Sequence, residues 1–351
     1  HKKSKNADFK KGVDISSVPE LIDGGVSFYD EEGHQLRIFD ILKMNNINSV
    51  RLRIWNEPAN VPESKGYCSL AHTMEMAHVI KNFGMHFVLD FHYSDYWADP
   101  GNQTKPKAWQ DLSFDELKKA VYDFTYDVLY RLKLTGCAPD MVQIGNEIRS
   151  GMLFPDGAVP NFENLAQLVN EGIRATRDVL PEADVMIHLD QGGRFYYIKE
   201  WFDAMFAAGM NPIDAIGISF YSFWHGTYMD LKYTMTKLIE TYNLPVYIVE
   251  TAHPWRHCEG EHVSKDMMDT AGLPAGIDEQ KKALSIIMQI AAEASQKTGK
   301  TGVYYWEPVG TPNRGFGSWN ENMGMFDDEC KALPGWEAYR DFDPKRLPIE
   351  N

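Results

Sequence analysis

The sequence predicts an α/β protein folded as a single (β/α)8 TIM barrel, and three observations carry that reading. Eight short apolar, β-rich runs recur along the 351 residues, at 12–15, 49–54, 86–90, 141–145, 184–189, 215–220, 246–249 and 302–306. Several are almost continuously hydrophobic, the pattern of parallel strands covered on both faces. Stretches with helical periodicity fall between them, and strand–helix alternation repeated eight times favours a barrel over an open sheet. A doubly wound sheet is the alternative, but no GxGxxG follows the first run to recommend it.

Three of the intervening helices are explicit in the residue pattern. Ser113-Phe-Asp-Glu116 has the form of a capping box and opens a helix with Leu117, Val121, Phe124 and Val128 on one stripe. Leu165, Leu168, Val169, Ile173 and Thr176 form a second stripe, stopped by Pro181. Asp278 begins a third, continued through Leu284, Ile287, Ile290 and Ala291. No internal repeat or low-complexity linker interrupts the chain. The expected organisation is a disordered or linker segment over residues 1–8 and one catalytic barrel over 9–351.

Composition narrows the partners. The formal net charge is −15, and the short 2–5 stretch is the one basic cluster, so nucleic acid and acidic membrane surfaces are excluded as expected partners. A neutral ligand fits better. Aromatic residues make up 13% of the chain, and several stand in turn-rich segments where sugar rings can stack on them. Cys68, Cys137, Cys258 and Cys330 are scattered, without the CxxC or CxH spacing of a zinc site. No apolar run approaches the length of a membrane span, so no transmembrane segment is expected.

Catalytic groups of such barrels stand at the C-terminal ends of strands. Polar and aromatic residues gather at those ends here: Val50-Arg-Leu-Arg-Ile-Trp55, Leu89-Asp-Phe-His-Tyr-Ser-Asp95, Gln143-Ile-Gly-Asn-Glu147, His188-Leu-Asp-Gln-Gly192, Ser219-Phe-Tyr-Ser-Phe-Trp224, Tyr247-Ile-Val-Glu-Thr251 and Tyr304-Tyr-Trp-Glu-Pro308. Glu147 and Glu250 stand apart, because each follows an apolar run directly or after a two-residue turn. Strands four and seven of an eight-stranded barrel lie roughly opposite, which would set these two carboxyls across its mouth. Glycoside hydrolysis needs such a pair, one group to protonate the departing oxygen and one to attack or to activate water. The ordinary alternative is that each caps a strand or pairs with an arginine. Around them, Asn146 is a candidate contact for a sugar 2-hydroxyl. Arg53 and Tyr221 are candidate donors to Glu250, and His92 is a candidate to orient the same network. Each also has a plain structural reading, as a paired arginine, a core tyrosine or a satisfied core histidine.

At these residues the chain resembles the family 53 glycoside hydrolases, the endo-β-1,4-galactanases. The likeness runs through Gly12-Val-Asp-Ile-Ser16, Val50-Arg-Leu-Arg-Ile-Trp55, Ser94-Asp-Tyr-Trp-Ala-Asp-Pro-Gly101, Gln103-Thr-Lys-Pro106, Ile144-Gly-Asn-Glu-Ile-Arg149, Met186-Ile-His-Leu-Asp190 and Val303-Tyr-Tyr-Trp-Glu-Pro308. The resemblance implies Glu147 as acid/base and Glu250 as nucleophile in a retaining, endo-acting cleavage of β-1,4-galactan, the side chain of type I pectic arabinogalactan. By the same match, Arg53, His92, Asn146, Tyr221 and Trp306 fall on the shell common to the wider glycosidase clan. Asp95, Trp97, His188 and Asp190 fall on positions that look like sugar-binding ones, although Trp97 serves equally well as the anchor of a long loop.

Two departures qualify the match. Some bacterial members bind calcium in the loop after strand seven; here that loop, about 251–277, carries His253, His257, Glu259, Glu261, His262 and Asp266 without the oxygen-ligand spacing calcium requires. No metal and no cofactor are therefore expected. Ser222-Phe-Trp224 stands where relatives often have proline and aromatics, which bears on subsite detail. The expected partners are β-1,4-galactan and galacto-oligosaccharides, acted on by a monomer. An extracellular or cell-surface location follows from a polysaccharide too large to enter a cell. The alternatives are a related glycosidase cutting another β-linked polysaccharide, a metal-dependent hydrolase barrel, and a non-catalytic carbohydrate-binding barrel, against which the retention of both carboxylates counts.

Overall fold

The computed structural model describes residues 2–3, 8–257, 263–310 and 322–347. Eight strands close into a barrel in sequence order: β1 Asp8–Asp14, β2 Ser49–Ile54, β3 His86–Phe91, β4 Met141–Ile144, β5 Asp184–Leu189, β6 Ala215–Ser219, β7 Val246–Thr251 and β8 Lys300–Trp306. The predicted (β/α)8 architecture is the one observed. β2 and β5 keep their expected limits, and the other ends move by a few residues. β1 differs most, because it begins at Asp8 among two lysines. Lys11 explains how a strand tolerates them. Its Nζ donates to the carbonyls of Tyr339 and Phe342 at 2.6 Å each, closing the end of a helix whose last carbonyls lack partners. Burial pushes the Lys11 ammonium below its ordinary pKa, against the opposing pull of Asp343 and Asp341.

The chain gathers into two compact units. The first comprises residues 1–50, 191–195 and 218–351. In it β8 pairs in parallel with β1 from Lys300↔Asp8 to Trp306↔Asp14, and with β7 at Ile248↔Val303 and Thr251↔Tyr305. Three residue steps on β7 thus face two on β8. The extra residue is a bulge, and it resets the alternation of faces in the segment that carries Glu250. Lys2–Lys3 also pairs antiparallel with Arg346–Leu347. The second unit comprises residues 51–190 and 196–217. There β4 lies between β3 and β5 in parallel register, Val88↔Met141 on one side and Asp184↔Met141 on the other.

The helices follow the strands: α1 Ile38–Met44, α2 Leu70–Asn82, α3 Phe114–Leu134, α4 Phe162–Val179, α5 Phe195–Ala207, α6 Tyr228–Tyr242, α7 Ile277–Ala294 and α8 Gly335–Asp341. α3 starts at the predicted capping box, with Ser113 Oγ accepting from the Glu116 amide and the Glu116 carboxylate accepting from the Ser113 amide. Leu117, Val121 and Val128 bury its inner stripe, joined by Leu129 and Leu132. α4 buries all five predicted stripe residues and ends at Val179, before Pro181. No helix among the described residues is long and apolar enough to cross a membrane.

Several barrel strands leave by a residue in the left-handed region. Tyr93 (φ 53°) follows β3, Glu147 (φ 48°) follows β4, Gln191 (φ 66°) follows β5 and Glu307 (φ 50°) follows β8. Such φ values are uncommon for residues with a Cβ and collect at functional sites.

Candidate active site

The segment after β4 is built on a buried polar network. Arg51 and Asp90 are both buried, and their side chains meet at 3.0 Å. Arg51 also donates through Nε to Gln143 Oε1 at 3.1 Å and through a terminal nitrogen to Asn146 Oδ1 at 3.1 Å. Gln143 Nε2 has two protons and four acceptors within reach: Asp90 Oδ1 at 2.8 Å, Gly145 O at 2.9 Å, His188 Nδ1 at 3.0 Å and Asn146 Oδ1 at 3.3 Å. Asn146 Nδ2 donates to Ala98 O at 2.7 Å, and the Asn146 backbone carbonyl accepts from Gln103 Nε2 at 2.9 Å. The Asn146 amide therefore has one orientation.

That network sets the turn Gly145-Asn146-Glu147. Gly145 has φ 81°, and a Cβ there would come within 2.7 Å of the Ile148 side chain, so glycine is required. Glu147 is half-buried, and its backbone N–H donates to His188 Nδ1 at 3.2 Å. With Nδ1 accepting, His188 carries its proton on Nε2.

His92 is fixed in the same way. Its Nδ1 accepts from the Trp55 indole at 3.2 Å and from the Ala98 amide at 3.0 Å, which directs the Nε2 proton to Asp90 Oδ2 at 3.3 Å. Arg53 is buried, and its guanidinium carbon lies 4.2 Å from the Trp97 ring centre and 5.7 Å from that of Trp55. Trp97 meets Trp55 edge-on at 5.1 Å. Asp95 has its oxygens taken up by loop donors: the Glu57 amide at 2.9 Å, Asn60 Nδ2 at 3.3 Å and the Lys107 amide at 2.9 Å. Its visible work is to tie two loops together. Asp190, at the end of β5, receives two hydrogen bonds from Arg149 at 2.9 and 3.3 Å. That bond, and more weakly one to Tyr197, raises the Arg149 pKa above its ordinary value.

Glu250 belongs to the other unit and lies within β7, on the bulged segment. Its carboxylate is buried and accepts from the Tyr221 hydroxyl at 2.8 Å, while its carbonyl accepts from the Phe220 amide at 2.9 Å. A hydroxyl donating to a carboxylate favours its ionised form. Tyr221 is packed by Phe223, Trp224 and His225 at 5.4–5.7 Å between ring centres. Trp306 closes β8 and is buried. Next to it the fully buried Glu307 accepts from the Ser17 amide at 3.2 Å and from the Ser17 hydroxyl.

The sequence reading counts Arg51, Asp90 and Gln143 among the polar strand ends but gives them no role. A signal was available in Arg51-Leu-Arg53, since residues two apart on a strand share a face. Gln143 stands at the polar end of strand four, but its role depends on β3, β4 and β5 being neighbours. In the loop after β7, His253 is buried with Nε2 2.8 Å from Pro274 O, and the His257 carbonyl accepts from Asn322 Nδ2 at 3.1 Å. Cys258, Glu259, Glu261 and His262 lie outside the described residues. Among the described residues no three His, Cys, Asp or Glu side chains come together as a metal site.

Comparison with known proteins shows the family and the fold. Residues 10–339 match the family model described as glycosyl hydrolase family 53. A GH53 catalytic domain from Ignisphaera aggregans is 35% identical, covers 95% of this chain and 96% of its own, and superimposes with a TM-score of 0.88. A structure of fungal β-1,4-galactanases is 30% identical over 96% of this chain and all of its own, with a TM-score of 0.84. Arabinogalactan endo-β-1,4-galactanase A of Emericella nidulans is 34% identical over 324 residues, 90% of this chain and 89% of that protein. The chain belongs to glycosyl hydrolase family 53.

Proposed function

We propose that this protein is an endo-acting, retaining hydrolase of β-1,4-galactan, with Glu147 as general acid/base and Glu250 as nucleophile. The observation that carries the assignment is the different setting of the two glutamates at strand ends. Glu250 is buried and receives a hydroxyl hydrogen bond from Tyr221, which suits a carboxylate that must stay ionised to attack. Glu147 is half-buried in a strained turn, which suits a group that must exchange protons with substrate and water. C-terminal strand ends are where barrel enzymes place their chemistry. The galactan assignment is supported by the names of the relatives.

In this reading Glu250 attacks the anomeric carbon while Glu147 protonates the departing glycosidic oxygen, giving a covalent galactosyl–enzyme ester. Glu147, now a carboxylate, removes a proton from the water that opens the ester, and the β configuration is retained. Asn146, its amide held by Arg51 and Ala98, is proposed to meet the sugar 2-hydroxyl, a contact that strengthens in the transition state. A polymer of this size does not cross a cell envelope intact, so the enzyme is proposed to act outside the cell or at its surface, as a monomer on pectic galactan.

The test is Glu147→Gln and Glu250→Gln assayed on galactan, each expected to lose on the order of 10³-fold or more in rate with the fold intact. Turnover near wild type in either variant overturns the roles. NMR of the first product should show the β anomer, and α anomer formed first would mean inversion. A panel of β-linked mannan, xylan and galactan decides the sugar.

A further inference from the structure

Resting on the reading of Glu147 as the acid, we propose that Gln143 is a positioning residue for it. The Gln143 side-chain amide acts as a donor that keeps the His188 imidazole in the form that receives the Glu147 backbone N–H. A carboxylate of the same shape in its place would undo this.

The Gln143 side chain leaves β4 fully buried and is held from both ends. Arg51 Nε donates to its oxygen at 3.1 Å. A guanidinium only donates, so the amide oxygen must lie on that side. The amide nitrogen is thereby turned towards Asp90 Oδ1, Gly145 O, His188 Nδ1 and Asn146 Oδ1, at 2.8–3.3 Å. Three of these are oxygens with no proton to give, so an acceptor placed here would meet repulsion from three sides. The bond to Gly145 O spans two residues and braces from within the turn that leads to Glu147.

His188 shows why the donor matters. Its Nδ1 accepts from the Glu147 amide at 3.2 Å and stands 3.0 Å from Gln143 Nε2. A backbone N–H cannot reverse its role, and Arg51 keeps the Gln143 amide from turning. A proton on Nδ1 would point at two donors, so the ring keeps a lone pair there and its proton on Nε2. Glu147 has φ 48°, a conformation that persists only where its surroundings hold it. The bond from its amide is part of that hold, and Gln143 secures the atom that accepts it.

The ordinary account of Gln143 is a core amide that satisfies a buried charge. Asp90 does not depend on it for that, because Arg51 and His92 meet its other oxygen at 3.0 and 3.3 Å. What Gln143 adds is a link between the turn before the acid and the ring that holds the acid's amide.

The test exchanges donor for acceptor at constant shape. In protein labelled with 15N-histidine, two-bond 1H–15N spectra at pH 7 show the tautomer of each ring, and His188→Gln assigns the signal. Wild-type His188 should appear as the Nε2–H form. Gln143→Glu should draw it to the Nδ1–H form and lower kcat/KM on galactan about 100-fold, the scale of a misplaced catalytic group. On a dinitrophenyl β-galactobioside, whose leaving group departs without a proton, the same variant should lose no more than about threefold. General loosening of the core would lower both substrates alike. Gln143→Met, neutral and of similar length, should keep the Nε2–H form and lose about tenfold, again on galactan only. If Gln143→Glu does not fold, Gln143→Met carries the test through the ratio of the two substrates. The proposal is overturned if wild-type His188 carries its proton on Nδ1, if His188 keeps the Nε2–H form in Gln143→Glu, or if either variant loses equally on both substrates. Failure of the Glu147 assignment reads differently: Glu147→Ala would lose as much on the dinitrophenyl substrate as on galactan, while wild-type His188 would still show the Nε2–H form.

Discussion

The backbone N–H of Glu147 and the Nδ1 atom of His188 form a 3.2 Å hydrogen bond, so a candidate acid is positioned through its main chain. Removing the imidazole leaves that amide without its acceptor, while Gln143 keeps Asp90, Gly145 and Asn146. His188→Ala is expected to keep the barrel but lower kcat on galactan by roughly 10- to 100-fold, the cost of small misplacements in a reacting pair. Steady-state kinetics beside a circular dichroism melt separates this from unfolding, and unchanged kcat would show that the turn holds itself.

Acid and nucleophile can be told apart by the leaving group. Glu147→Ala should lose far less on an aryl galactoside with a weakly basic leaving group than on galactan, because such a group departs without a proton. Added azide should raise its rate and yield a β-galactosyl azide. Glu250→Ala should show neither effect; the reverse pattern would exchange the two roles.

The buried pair of Arg51 and Asp90 is expected to be costly to split. Arg51→Met leaves Asp90 without its cation, and truncating one partner of such a pair typically destabilises by about 3–5 kcal/mol. Urea denaturation measures this, and a change under 1 kcal/mol would mean that His92 and Gln143 suffice for Asp90.

Gly12 is a packing requirement. A Cβ at this position would fall 2.2 Å from the Tyr304 ring, and that ring is held by a 2.7 Å hydrogen bond between Tyr304 and Ser49. Gly12→Ala is expected to destabilise by roughly 1–3 kcal/mol, as overpacked cores do. An unchanged melting midpoint would show that the ring moves freely.

His253 predicts a pH dependence. Burial lowers its pKa, outweighing the hydrogen bond to Pro274 and the pull of Glu279, which raise it. The unfolded chain then binds a proton more readily than the folded one, near pH 6.5. Stability from this group is complete above that pH and falls as pH drops through it towards the lower folded value. His253→Gln should flatten the fall in urea midpoint between pH 7.5 and pH 5.5, and an equally steep fall would assign it to other groups.

The eight strands were legible because a parallel barrel strand is apolar on both faces, a signal that survives in a single sequence. β1 was read short because Lys10 and Lys11 look like loop residues; only the distant carbonyls of Tyr339 and Phe342 make Lys11 at home in a strand. Glu147 and Glu250 were legible as carboxylates ending apolar runs. The β7 bulge was not, since it exists only against β8. Asp95 falls on a sugar-binding position by resemblance; that its oxygens accept from loop donors was not legible, because it depends on where Glu57 and Lys107 come to rest.

Lys11 reaches across 328 positions to the Tyr339 carbonyl, and this ordains the timing of folding. During synthesis β1 leaves the ribosome well before its β8 neighbour and the helix end that receives its ammonium. Until then the strand has an open hydrogen-bonding edge and a lysine with no acceptor, so the barrel cannot close stepwise behind the ribosome. Long-range closure of this kind slows folding and lengthens the life of unclosed forms.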